Sequence, residues 1–137
     1  MTLTSNKKVY VIAEIGVNHN GSIKRAKEMI KLCKINDADA VKFQVYKAKN
    51  IADTFVSKAQ YQKIDNKTES QYEMLKKYEL NDDDFLMLYK YATKLGIDFI
   101  STAADTIALI FLNSKLKLKT IKIGSSDITN IQLLINA

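Results

Sequence analysis

Short apolar runs alternate with amphipathic stretches along this chain, and that rhythm constrains its fold more than any other feature. Four runs read as strands: Val9–Ala13, Ala40–Val45, Asp98–Ser101 and Thr120–Ile123. Three of them are continuous or nearly so in Val, Ile and Phe, the pattern of parallel strands covered on both faces. Helical periods lie between them. Over Ser22–Ile35 the apolar residues Ile23, Ala26, Met29, Ile30 and Cys33 fall three or four apart, with Ser22 as N-cap and Asn36 or Asp37 turning the chain afterwards. The next helix is capped by Asn81, favoured by Asp82, Asp83 and Asp84 at its positive end, and stopped by Gly96. Its inward stripe is Phe85, Leu88, Ala92 and Leu95. A third helix is expected from Asp105 to about Asn113 with Ile107, Ile110 and Phe111 inward, and a fourth from near Asn130.

The stretch Tyr46–Leu80 breaks the rhythm and is too long for an ordinary connection. Within it Thr68-x-x-Gln71 reads as a capping box opening a short helix through Tyr72, Leu75 and Tyr78. A long excursion after a strand is often a binding loop; an irregular insertion without a site explains it equally well.

Composition narrows the class. The chain has 137 residues, 47% of them apolar and 26% charged, ordinary values for a globular fold. No apolar run approaches the length needed to span a bilayer, and the N-terminal residues lack a signal peptide's apolar stretch. The single cysteine, Cys33, excludes an internal disulfide framework and fits a reducing, cytoplasmic setting. Lys and Arg outnumber Asp and Glu by 21 to 15, a net charge of +6, but the excess is scattered lysine with Arg25 as the one arginine. That argues against a nucleic-acid arm and leaves a solvated surface or a phosphate-bearing partner.

Strands alternating with helices imply a parallel sheet with right-handed crossovers, and such sheets bind ligands at the carboxyl ends of their strands. Those ends carry chemistry. The first strand runs into Glu14. The second holds Lys42 and Gln44, two apart and so on one face. The third reaches Ser101 and Thr102, and the fourth holds Lys122 and enters Gly124-Ser125-Ser126-Asp127. A buried lysine needs a carboxylate or a ligand anion beside it. Lys42, Lys122 and the amides of a Gly-Ser-Ser turn would form an anion site, with Glu14 and Asp127 available for acid–base work. The alternative is a buried ion network in which those lysines pair with Glu14 and Asp127. A Schiff-base lysine of the aldolase kind also stays open from these residues alone. The only histidine, His19, sits in Gly16-Val17-Asn18-His19-Asn20-Gly21-Ser22; one histidine does not make a metal site, and a structural role is expected.

Ala13-Glu14-Ile15-Gly16-Val17-Asn18-His19-Asn20-Gly21-Ser22, Val41-Lys42-Phe43-Gln44, Phe99-Ile100-Ser101-Thr102 and Lys122-Ile123-Gly124-Ser125 together resemble the sialic acid synthase family. Ser70-Gln71-Tyr72-Glu73-Met74-Leu75-Lys76-Lys77 resembles its bacterial branch, and the likeness runs from Tyr10 onward. The resemblance implies a (β/α)₈ TIM-type barrel of which residues 1–137 supply about the first four βα units. It implies condensation of phosphoenolpyruvate with N-acetylmannosamine or a related amino sugar, phosphate leaving by C–O cleavage, which disfavours the aldolase. It also implies a divalent metal, Mn²⁺ or Mg²⁺, and a homodimer.

By the same resemblance Lys42 and Thr102 would hold the phosphoenolpyruvate carboxylate, and Lys122 and Ser125 its phosphate. Gln44 and Asn66 would meet the sugar. Glu14 would lie beside the reacting aldehyde, and Asp127 stands where many members have Glu. Ala103 and Ala104 replace the usual Pro-Phe, and Asn36-Asp37 the usual Ala-Gly. A (β/α)₈ barrel needs about 250 residues. The family's metal-ligating histidines and its antifreeze-like domain are expected outside these residues, so no metal ligand is assigned in this chain and the chain alone is expected to be inactive. A non-catalytic fragment that binds only an anion or a partner, and a flavodoxin-like binding domain, are the competing readings.

Overall fold

The computed structural model describes residues 9–53 and 69–137. Four strands form one sheet in the order β1-β2-β3-β4, all parallel: β1 (Ile12–Gly16), β2 (Ala40–Val45), β3 (Asp98–Ala103) and β4 (Ile121–Ile123). The helices are α1 (Ile23–Ile35), α2 (Ala48–Ile51), α3 (Gln71–Tyr78), α4 (Asp82–Leu95), α5 (Thr106–Ser114) and α6 (Ile131–Asn136). This is the layout of the first four βα units of a (β/α)₈ barrel, each strand handing over to helices that return the chain to the next strand's start.

Side-chain alternation divides the sheet. Val41, Phe43, Val45, Phe99 and Ala103 point into one core with Ala26 and Ile30 of α1, Phe85, Leu88 and Ala92 of α4, and Leu109 and Leu112 of α5. Phe43 is its hub, stacked on Phe99 at 5.0 Å and edge-on to Phe85 at 6.4 Å. Residues of the opposite parity, Lys42, Gln44, Thr102 and Lys122, occupy the other face. That face is not uniformly covered: Gln44 and Lys122 are exposed. Coverage on both faces, expected from the apolar runs, holds fully only on the helix side.

Helix ends follow the sequence closely. Ser22 accepts the Arg25 amide at the start of α1, and Asp37 takes the left-handed turn after it at φ 59°. Asn81 and Asp84 form a reciprocal capping box at α4, and Gly96 ends it with φ 67°. Several elements differ from expectation: β3 runs on to Ala103, and α2 was not foreseen. The first strand starts and ends three residues later than Val9–Ala13, because pairing with β2 begins at Ile12 and continues to Gly16. Helix α3 is capped by Ser70 and Glu73 rather than Thr68 and Gln71; Gln71 is its first residue and Thr68 lies outside the described residues. In α5 the inward residues are Ala108, Leu109, Phe111 and Leu112, while Ile107 and Ile110 face outward, 59% and 58% exposed. That segment is apolar nearly all round, so periodicity does not choose its face. Among the described residues no helix is long and apolar enough to cross a membrane.

Candidate active site

Strand register assembles the polar residues into a row. Glu14 of β1 lies opposite Lys42 of β2, Gln44 lies opposite Thr102 of β3, and Thr102 lies opposite Lys122 of β4. Four strands thus contribute to one face. The Lys42 ammonium is ion-paired with the Glu14 carboxylate. It also donates to Thr102 Oγ1 at 3.5 Å. The Lys42 side chain is 16% exposed against 47% for Glu14, so a largely sheltered cation is neutralised by a carboxylate that reaches in from solvent. Lys42 and Glu14 are thus paired as in the ion-network alternative, but the pair is not buried at its Glu14 end.

Lys122 is different. It is exposed, and among the described residues it makes no ion pair. After β4 the chain passes Gly124 into a 3₁₀ turn, Ser125–Asp127, closed by the Asp127 amide donating to the Gly124 carbonyl at 3.0 Å. The Ser125 side chain is exposed beside this turn. Asp127 curls back over its own loop: a Cβ on Gly124 would collide with its Oδ2. Its carboxylate is therefore held at the turn, not paired with Lys122. Two ammonium groups and one carboxylate, with the Ser125 turn at the far end, give a face suited to an extended anion.

The turn from β1 to α1 closes the other end. Gly16 has φ 55° and Gly21 φ 73°, left-handed geometry that suits glycine. Gly16 is also closely approached, since a Cβ there would lie 3.1 Å from Glu14 Oε1, which would have to shift slightly, and 3.6 Å from Gln44 Nε2. Glu14 and Gln44 rest together on this glycine, a seat that strand-end spacing did not reveal because it depends on turn conformation. Asn66 lies outside the described residues. His19 is buried and its Nδ1 accepts the Gly21 amide, so its structural role is as expected. Burial lowers its pKa, opposed by a hydrogen bond to the Gly16 backbone. Among the described residues no three His, Cys, Asp or Glu side chains gather as a metal site. The described residues do not fit the divalent metal. A cavity of about 370 Å³ lies away from the row, at the amino ends of the strands between Tyr10, Tyr89, Asp98 and Lys117.

Comparisons with known proteins bear on the fold and the family. The chain is 47% identical over 132 residues to N,N'-diacetyllegionaminic acid synthase of Legionella pneumophila, covering 95% of this chain and 36% of the relative. It is 44% identical over 129 residues to the synthase of the same description in Campylobacter jejuni, covering 93% and 38%. The chain thus spans little more than a third of the length of these curated relatives. Among solved structures, N-acetylneuraminic acid (sialic acid) synthetase from Leptospira borgpetersenii in complex with citrate superposes with a TM-score of 0.78 at 30% identity, over 99% of this chain and 45% of that one. The NeuB family model matches residues 29–137, well over half of the sequence. On the strength of that match, the sheet order and the row of strand-end residues, the chain belongs to the NeuB family.

Proposed function

We propose that these residues form the phosphoenolpyruvate-binding part of a nonulosonic acid synthase. On this reading the whole protein condenses phosphoenolpyruvate with N-acetylmannosamine or a related N-acetylated amino sugar and releases phosphate by C–O cleavage. One observation carries it: Lys42, Thr102 and Lys122 stand side by side on three adjacent parallel strands, followed by the Ser125 turn. Lys42 and Thr102 take the carboxylate, and Lys122 with Ser125 the phosphate. Glu14 and Gln44, seated on Gly16, face the sugar's aldehyde end, and Asp127 supports the phosphate turn from behind. The divalent metal and a homodimer belong to the intact protein on this reading, and Asn66 to its sugar contacts.

The kinship with the N,N'-diacetyllegionaminic acid synthases of Legionella and Campylobacter supports the reaction class. Calorimetry with phosphoenolpyruvate tests the site. The 137-residue chain is expected to bind it, and Lys122→Ala to weaken binding by about 1.5–3 kcal/mol, the scale of a charged hydrogen bond. A chain that does not bind phosphoenolpyruvate overturns the assignment. With amino sugar and manganese added, this chain alone is expected to form no product; clear turnover would place the whole reaction within it.

A further inference from the structure

Two helices at the carboxyl end of the sheet complete one another's hydrogen bonds. Helix α2 has four residues, too few to persist by propensity, and its N-cap Lys47 makes no side-chain bond to the helix amides. The acceptor comes from far along the chain: Glu79 Oε2 takes the amide of the buried Ala48 at 2.9 Å. Glu79 is the C-cap residue of α3, its side chain 14% exposed and its other oxygen paired with Lys76 at 3.2 Å. A carboxylate sheltered to this degree needs donors, and Ala48 and Lys76 supply them. In the reverse direction the buried Tyr46, just before α2, donates its hydroxyl to the Leu75 carbonyl at 3.0 Å. Leu75 lies in the last turn of α3, where carbonyls lack partners within the helix. Each helix thus closes an end that the other leaves open.

Helix α2 is fastened to a third element as well. Asn50 Nδ2 donates to Asp105 Oδ2 at 2.9 Å, while Asp105 Oδ1 takes the Ala108 amide at 2.7 Å as the N-cap of α5. We propose that Glu79 is a positioning residue: it caps α2 from outside and, through Asn50, joins the loops after β2 and β3 into one rim. The strands that feed those loops carry Lys42, Gln44 and Thr102, so the rim borders the row of strand-end residues. It is built before any ligand arrives. The inference goes beyond the phosphoenolpyruvate reading and does not depend on which anion the row binds.

Amide hydrogen exchange of the 137-residue chain, read residue by residue by NMR without ligand, tests it. The first amide of a helix has no partner within that helix, so protection at Ala48 reports Glu79 directly. The Ala52 amide, which donates to the Ala48 carbonyl at 3.1 Å, reports α2 itself. Both are expected to be protected in the wild type. Glu79→Ala is expected to speed both by about tenfold or more, the scale of losing one hydrogen bond to a charged group. Glu79→Gln keeps an acceptor oxygen and should stay close to wild type. Asn50→Ala should speed Ala52, and should add less in the Glu79→Ala background than alone, the sign of a shared contact. The Ala26 amide of α1, bonded to the Ser22 carbonyl, is the internal reference and should not change. Should Glu79→Ala not fold by circular dichroism, Glu79→Asp replaces it, drawing the carboxylate back by one methylene and expected to speed both amides.

Four results would overturn the proposal. One is exchange of Ala48 or Ala52 in the wild type at the rate of an unstructured chain. Another is a folded Glu79→Ala or Glu79→Asp protein that leaves both amides at the wild-type rate, or a Glu79→Gln protein as fast as Glu79→Ala. The third is full additivity of Asn50→Ala with Glu79→Ala, which separates the two loops. The fourth is equal acceleration at Ala26, which marks general loosening.

Discussion

At the scale of single residues, the row of Glu14, Lys42, Thr102 and Lys122 was legible because strand alternation is strict: a lysine flanked by Val41 and Phe43 must face away from the core. What that rule cannot supply is which polar residues meet, since register between strands is a tertiary property. Hence the Glu14–Lys42 pair stayed one of two alternatives until the β1–β2 register was known. Asp127 shows a related limit: its position in the sequence offers a carboxylate for acid–base work, and only the 3₁₀ turn places that carboxylate beside Gly124. His19 yields a pH prediction. Burial holds its pKa below the ordinary value near 6.5. As pH falls through about 6.5, the unfolded chain takes up the proton first, so this histidine's contribution to stability is full above that value and shrinks as pH falls toward the folded-state pKa. Urea unfolding at about pH 7.5 and about pH 5.5, on either side of the unfolded value, should show the stability gap between wild type and His19→Asn narrowing at the lower pH.

At the scale of elements, caps were the most readable features because their chemistry is local. Ser22, Asn81 and Asn130 each accept an amide three residues on. The shift from Thr68 to Ser70 at α3 shows the limit: two overlapping Ser/Thr-x-x-Glu/Gln frames fit one segment, and only the packed helix selects between them. Helix α5 shows another. In Thr106–Ser114 the apolar residues surround the axis, so the inward face is decided by what the sheet presents and not by the helix itself. The two faces should differ sharply in energy. Leu109→Ala, 2% exposed, is expected to cost about 2–5 kcal/mol through the cavity it opens. Ile110→Ala, 58% exposed, should stay within about 0.5 kcal/mol. The reverse order in chemical denaturation would mean that α5 buries the other face, and equal losses that its two faces are buried alike.

At the scale of the whole molecule, the parallel sheet with helical crossovers followed from β–α alternation and the barrel type only from the family resemblance, whereas the apolar surface left outside the core did not follow from composition. Ile128, Ile131 and Ile135 are 62%, 64% and 72% exposed near the β4 side of the sheet, and Val9 to Ile12 are exposed near β1. Such surface favours association, so sedimentation velocity on the 137-residue chain should show mass rising with concentration, and Ile131→Lys with Ile135→Lys should reduce it. The +6 charge is mostly solvated lysine and says little about ligand choice. The Glu14–Lys42 pair says more. Because Lys42 already holds an anion, an incoming ligand performs an exchange and not a simple addition. A lone carboxylate such as acetate trades one partner of Lys42 for another and gains little. A ligand with negative charge at both ends loses the same amount at Lys42 but also reaches Lys122, two strands and roughly 10 Å across the sheet. The face therefore measures length as well as charge: calorimetry should find acetate and inorganic phosphate each binding far more weakly than phosphoenolpyruvate, and Glu14→Gln should shrink that preference by removing the resident counter-ion.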